Sequence, residues 1–373
     1  MATAPRVSFV VPCHRFGHLL ADCVGSILSQ TFEDLEVLIM DDCSPDNTPE
    51  VAATLTDPRV RYIRNERNLG HLKNYNRGLS LARGDYLWLI SADDRLRRPY
   101  VVERFVKLLD VRPDVGYVFC PVMKFTAEGD TQLYGDHGAH DVIFNGHDFL
   151  RTLANGNSVP APSGLVRRSC YERISMFPLD MPFAGDWYMW SAFALFTNVG
   201  YLADPMVGYR VHTGNMTLDF KKRVDALVRD ELAVLWAMKA LAESASLPSI
   251  ARLYLDRIAW YYATHVGFKV SRNWSHGIST DEFERSLDEH CSNGSERRTI
   301  RAMTYAFLAD CCHERGDDRS ARRWYDEALE QKPRDIKTRV KRLFLKSGSA
   351  GRAARRIVDR LRSSPGGALA AYD

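Results

Sequence analysis

Asp41-Asp42 and Asp93-Asp94 each stand at the end of an apolar run. The first pair follows Leu35-Glu36-Val37-Leu38-Ile39-Met40, and the second follows Tyr86-Leu87-Trp88-Leu89-Ile90 after Ser91-Ala92. Nearly continuous hydrophobic runs of this kind read as strands buried on both faces of a parallel sheet, and ligands of such sheets sit beyond the carboxyl ends of the strands. Like charges crowded on one rim raise one another's pKa unless cations or ligand donors neutralise them. The doubling predicts a site for a metal ion and a nucleotide.

The elements that must position these carboxylates are legible up to about residue 120. Strands are expected at 7–11, 35–40, 59–64, 85–90 and 115–119, with helices at about 19–30, 48–55, 71–82 and 99–110 between them. Strands alternating with helical patterns of this length predict an α/β domain with a mostly parallel, helix-covered sheet. From Pro121 to about Gly164 the periodicity weakens and Gly, Asp, His and Asn become frequent, which reads as strands and loops that shape a substrate pocket.

Beyond Leu218 the pattern is almost entirely helical, with helices expected at about 219–244, 248–271, 280–291, 296–315, 318–330, 334–347 and 350–362. Two domains follow: 1–218, with a nucleotide-binding half 1–120 and an acceptor half 121–218, and an all-α domain 219–373. Within the second, Ala306, Leu308, Ala309, Gly316, Ala321, Tyr325, Ala328 and Pro333 have the small-and-aromatic spacing of a tetratricopeptide-like helix pair near 300–333. An ordinary helical bundle is the competing reading. The appendage is a candidate surface for a protein partner or self-association.

Composition sets further bounds. The chain has 373 residues, 45% hydrophobic content and a formal net charge of +3, which fits two globular domains and argues against a nucleic-acid-binding protein. Eight cysteines show no C-x-x-C pair, and scattered thiols without a secretory signal predict a cytoplasmic protein. The longest uncharged stretch, 187–203, is too polar and too short to span a membrane. Between Lys332 and Arg362 twelve Lys/Arg face only Asp335 and Asp359. Ile336, Val340, Leu343 and Phe344, then Ile357, Val358 and Leu361, make this stretch amphipathic with cationic outer faces. A solvated face is the plainer reading, and peripheral contact with an anionic membrane the sharper one.

V-S-F-V-V-P, S-I-L-S-Q-T-F, L-I-M-D-D-C-S-P-D-N-T, R-N-x-G and G-D-Y-L-W-L-I-S-A-D-D, in this order, resemble family 2 glycosyltransferases of the GT-A fold. The resemblance covers roughly the first 215 residues. It implies an inverting enzyme that moves one sugar from a nucleotide-diphosphate sugar, UDP- or dTDP-linked, to a glycan or lipid-linked acceptor in bacterial surface polysaccharide or glycoconjugate biosynthesis. A carboxylate at a strand end can accept the imide N–H of a uracil-like base, the role given to Asp42 with Asp41 behind it; Pro12, ending the first strand, lies beside the base and ribose. By resemblance Asp93 contacts the ribose and Asp94 holds Mn²⁺ or Mg²⁺, with His212 as a further metal or diphosphate ligand. Ser91 stands where the family commonly has another aspartate.

Asn68 and Gly70 set the turn of the nucleotide-cradling loop, and Lys73, early on the next helix, is placed to meet phosphate. Tyr75 stands where a basic residue is common. Asp186 in Phe183-Ala184-Gly185-Asp186-Trp187 matches the catalytic base, with Gly185 replacing the usual glutamate. Trp187 and Trp190 are candidates for an acceptor platform, and Arg210 for a diphosphate contact or an acid partner. Two other classes compete with this reading. A sugar-1-phosphate nucleotidyltransferase needs a glycine-rich basic loop after the first strand, which Val11-Pro12-Cys13-His14-Arg15-Phe16-Gly17 is not. A vestigial transferase domain serving as a scaffold for the helical appendage is the non-enzymatic reading.

Overall fold

The computed structural model describes residues 4–272 and 276–345. The chain divides into two units, the first ending at Asp219 and the second starting at Phe220.

In chain order the first unit contains β1 (Val7–Cys13), α1 (Gly17–Leu28), β2 (Leu35–Asp41), α2 (Thr48–Thr54), β3 (Val60–Arg64), α3 (His71–Leu81), β4 (Tyr86–Leu89), β5 (Arg95–Leu96) and α4 (Val101–Val111). It continues with β6 (Val115–Phe119), β7 (Val122–Thr126), β8 (Gly129–Tyr134), β9 (Val142–Phe144), α5 (Gly146–Leu153), β10 (Leu165–Arg167) and α6 (Arg168–Ile174). It ends with α7 (Gly185–Phe196), β11 (Asn198–Tyr201), β12 (Val207–Arg210) and α8 (Met216–Lys221).

Eight strands form one sheet in the order β3-β2-β1-β4-β10-β6-β11-β9. β1 to β4 run parallel, while β10 pairs antiparallel with β4 and β6, and β9 with β11. β1 and β2 are buried along their whole lengths, which is why their sequences read as continuous apolar runs instead of alternating ones. The core packs Phe9, Trp88 and Phe105 together, with Phe9 and Trp88 stacked at 5.2 Å. α3 lies close over the sheet because Gly78 has no Cβ; one built there would overlap Val10 and Met40.

The strand–helix alternation follows the sequence reading, with one local correction. β1 does not stop at Pro12 but runs to Cys13, with Pro12 opposite Met40 of β2. Pro12 lies just past the last paired residue of β4, so its missing N–H costs no ladder bond, and its carbonyl accepts from Ala92 N at 3.1 Å. A second sheet, β5-β12-β7-β8, takes β7 and β8 from the region whose periodicity was weak and β5 and β12 from either side of it. Its strands are short, and β8 is exposed throughout, so burial left no pattern to read.

The second unit is helical: α9 (Val224–Ser244), α10 (Pro248–Arg272), α11 (Thr280–His290), α12 (Gly294–Glu314), α13 (Asp318–Gln331) and α14 (Ile336–Phe344). The helix expected at 219–244 is split, because α8 ends at Lys221 and α9 begins at Val224. Leu308, Ala309 and Cys312 of α12 pack on Ala321 and Tyr325 of α13, turned by Gly316 at φ +84°. α14 corrects the expected orientation of the basic stretch. Its inner side carries Thr338, Lys341 and Arg342, the last two paired with Asp310 and Asp326, while Ile336 is 74% and Leu343 63% exposed. Its apolar stripe faces outward instead. The helix expected at 350–362, with Ile357, Val358 and Leu361, lies outside the described residues.

Candidate active site

The rim of the larger sheet is built from four short segments. Residues 41–46 end β2 and follow it, 65–70 follow β3, 91–94 follow β4, and 210–215 come from the end of β12 in the smaller sheet.

Asp41 and Asp42 divide the work of holding the first two. Asp41 is fully buried; its Oδ1 accepts from Ser44 N at 2.7 Å and its Oδ2 from the Tyr62 hydroxyl at 2.6 Å and Arg64 at 2.8 Å. Three protein donors thus make Asp41 an anchor of the turn after β2 and of β3. Asp42 Oδ1 accepts from Asn65 Nδ2 at 2.7 Å and Leu69 N at 2.8 Å, and Oδ2 accepts from Gly70 N at 3.0 Å. A carboxylate offers about four acceptor positions, so Asp42 shapes the 65–70 loop and keeps one position for a ligand.

Gly70 takes φ +82°, where an L side chain is strained, and its amide also donates to Asn68 Oδ1 at 3.0 Å. The Asn68 amide lies 3.2 Å from His14 Nδ1, bringing the loop over the residues after β1. Asn65 and Asn74 were not singled out in the sequence. Buried Asn74 accepts from Asn65 Nδ2 at 2.9 Å and donates to Met40 O at 2.9 Å, tying α3 to β2 and to the loop. Lys73 is exposed near the start of α3.

Asp93 and Asp94 are both buried. Asp94 Oδ1 accepts the Arg210 amide at 2.9 Å, and Asp93 Oδ2 meets His212 Nε2 at 3.1 Å and Asn215 Nδ2 at 3.4 Å. Asn215, another residue missed in the sequence, also accepts from His212 N at 2.6 Å and donates to Arg210 O at 3.0 Å. It fixes the shape of the whole 210–215 turn. The imidazole expected beside Asp94 is thus paired with Asp93. The Arg210 guanidinium takes the acid-partner alternative: it pairs with Asp22, donates to Asp93 O at 2.8 Å and covers the Phe125 ring.

Burial, and then the charge of Asp93, push the Asp94 carboxyl well above the usual carboxylate range. Among the described residues no group of three or more His, Cys, Asp or Glu is arranged as a complete metal cage. A buried carboxylate beside a second one, with one oxygen engaged by a backbone N–H, nonetheless suits a hard divalent cation completed by ligand oxygens and water.

Asp186 lies in the first turn of α7, half-buried, with Oδ1 accepting from Trp187 N at 2.7 Å and Oδ2 from Asn157 Nδ2 at 2.9 Å. Burial raises its pKa to about 6. Tyr75 and Tyr209 each lie within electrostatic reach of Asp186, Asp93 and Asp94. The base candidate and the aspartate pair, 92 residues apart, therefore share one neighbourhood. Trp187 does not: it is 4% exposed and its indole N–H donates to Leu153 O at 2.7 Å, because the helix turns it into the core. Trp190 is likewise buried against Tyr117.

The profile of Glycosyl transferase family 2 matches residues 8–174, a span that carries the loops at 41–46, 65–70 and 91–94. The first unit is a family 2 glycosyltransferase domain. The domain is 27% identical over 225 residues to an uncharacterized glycosyltransferase of Haemophilus influenzae, covering 58% of this chain and 68% of that one. It is 36% identical over 106 residues to the succinoglycan biosynthesis protein ExoO of Rhizobium meliloti, covering 28% of this chain. That match spans only 30% of ExoO's own length. In fold, the crystal structure of S. aureus TarS 1–349 in complex with UDP-GlcNAc superposes with a TM-score of 0.60 at 16% identity, over 88% of this chain and 92% of that one. The glycosyltransferase thus combines a GT-A α/β domain with a helical carboxyl-terminal region. Among the described residues no helix is long and apolar enough to cross a membrane.

Proposed function

We propose that this glycosyltransferase moves one sugar, with inversion, from a UDP- or dTDP-sugar to a hydroxyl of a glycan or lipid-linked acceptor, in bacterial surface polysaccharide or glycoconjugate synthesis in the cytoplasm. The observation that carries the reading is that the loop leading to Asp186 meets the start of α3, His71 Nε2 lying 2.7 Å from Pro182 O, next to the loop whose Gly70 amide Asp42 holds at 3.0 Å. The relation to a succinoglycan biosynthesis protein supports a polysaccharide setting.

In this reading Asp42 spends its remaining acceptor position on the imide N–H of the base, and Asp93 faces the ribose. Mn²⁺ or Mg²⁺, held by Asp94, would supply charge neutralisation at the diphosphate. Asp186 takes the proton of the acceptor hydroxyl as its oxygen bonds to the anomeric carbon. The bond from that carbon to the diphosphate oxygen breaks with its electron pair, and one displacement inverts the centre.

The exposed stripe of Ile336, Val340 and Leu343 supports peripheral contact with a membrane that would present a lipid-linked acceptor. Exposed Lys332, Arg334, Lys337 and Arg339 surround it. Calorimetric titration with UDP, dTDP and GDP, each with and without Mn²⁺, tests the donor assignment. Metal-dependent binding of one nucleotide, lost in Asp94→Ala, is the expected result; binding of none would leave the scaffold reading in its place.

A further inference from the structure

Asp186 is not held by its own helix alone. Asn157 lies on the loop between α5 and β10, and its side-chain orientation is fixed from outside: Val159 N, which can only donate, lies 3.1 Å from Asn157 Oδ1. The Asn157 amide nitrogen must therefore face Asp186 Oδ2, at 2.9 Å. The Asn157 carbonyl in turn accepts from the Tyr134 hydroxyl at 3.4 Å, linking the loop to the last residue of the β7–β8 hairpin.

We propose that Asn157 is the positioning residue for Asp186, aiming its carboxylate at the acceptor hydroxyl, and that the Tyr134 ring forms the adjoining wall of the acceptor subsite. This rests on the reading of Asp186 as the base. Among the protein donors to the carboxylate, the Trp187 and Asp186 amides belong to α7 and cannot be removed by substitution, whereas Asn157 donates a side-chain N–H from a separate element. Tyr134 is 39% exposed, and Lys124 Nζ lies 4.9 Å from the centre of its ring. An exposed aromatic face bonded through one residue to a carboxylate suits a sugar ring, whose C–H face packs on the aromatic while its hydroxyls reach the acid.

The titratable groups around Asp186 include the Asp93–Asp94 pair and three tyrosines. Tyr75 approaches from α3, Tyr134 from β8 and Tyr209 from β12, all with pKa values raised by burial. His71 of α3 lies 2.7 Å from Pro182 O on the loop leading into α7. Among the described residues no lysine or arginine forms an ion pair with Asp186, so the Asn157 bond is the side-chain interaction favouring its ionised form.

The test is a titration of the Asp186 carboxyl by carbon-13 NMR in aspartate-labelled protein, assigned with Asp186→Asn, in wild type, Asn157→Ala and the near-isosteric Asn157→Asp. Both Asn157 variants are expected to move the midpoint upward from about 6, by on the order of one pH unit for the alanine. Unchanged midpoints in folded variants overturn the proposal while leaving the base assignment intact. An Asp186→Asn protein that transfers sugar at the wild-type rate overturns the base assignment, and the positioning role with it. Tyr134→Ala is expected to raise acceptor KM at least tenfold, with nucleotide affinity unchanged and Tyr134→Phe close to wild type. Equal acceptor KM in Tyr134→Ala removes the ring from the subsite.

Discussion

The backbone amide of Arg210 donates to Asp94 Oδ1 at 2.9 Å across 116 residues of sequence. It is the amide, not the guanidinium, that meets the carboxylate, since the guanidinium is spent on Asp22 and on the carbonyl of Asp93. Substituting Arg210 therefore leaves the donor to Asp94 in place. Arg210→Ala is expected to lower Tm, through the lost Asp22 pair and the lost cover of Phe125, more than it lowers nucleotide affinity. A loss of affinity as complete as that of Asp94→Ala would contradict this.

Asp186→Asn is expected to reduce transfer by about 10²–10⁴-fold, the range of general base catalysis, with nucleotide binding by calorimetry unchanged. The wild-type rate should rise as pH increases through about 6, because the carboxyl is protonated below that value and cannot accept the acceptor's proton. A rate that is flat from pH 5 to 8 would remove Asp186 from the role.

The same substitution should stabilise the fold. The folded pKa lies above the ordinary aspartate value, so native Asp186 is disfavoured as an anion, and stability is lost as pH rises from about 4 through about 6. Asp186→Asn is expected to raise stability at pH 8 by about 1 kcal/mol, allowing for the side chain's partial exposure, and to change it little at pH 4. Urea unfolding at the two pH values checks the difference.

Asp42→Ala removes the acceptor of the Asn65, Leu69 and Gly70 donors at once. Leaving buried donors unpaired costs about 1–3 kcal/mol each at most, and part of that is recovered by water. Nucleotide affinity should fall together with protection of the Leu69 and Gly70 amides from hydrogen exchange. Normal protection with lost affinity would assign Asp42 to the base alone.

Vesicle sedimentation checks the outward stripe of α14. The full chain is expected to bind vesicles of phosphatidylcholine with phosphatidylglycerol, and to bind pure phosphatidylcholine weakly. Ile336→Ser combined with Leu343→Ser should reduce that binding several-fold without lowering Tm, because both side chains are already exposed. Binding that survives the double substitution would dismiss the stripe.

What could be read in the sequence follows burial. β1, β2 and β4 were legible because both faces of each are covered, so Val7 to Val11, Leu35 to Met40 and Tyr86 to Trp88 are apolar but for Ser8 and Glu36, which bond each other at 2.7 Å. The aspartates stood out because adjacent carboxylates at strand ends have few structural reasons to exist. Asn65, Asn74, Asn157 and Asn215 did not, since a loop asparagine carries no charge and its role depends on partners 9 to 122 residues away. Trp187 was misplaced for a related reason. One residue beyond Asp186 on a helix the direction rotates by about 100°, enough to carry the indole from the cleft into the core.

Synthesis proceeds from the amino end, and the last strand of the larger sheet to be made is β11, ending at Tyr201. The groups that close on Asp93 and Asp94 come from residues 210 to 215. A nascent chain that has just cleared the ribosome through Tyr201 can assemble all eight strands while its aspartate pair still lacks both amide and imidazole. The surroundings of the aspartate pair are thus completed late, when a handful of residues closes on what some two hundred before them have framed.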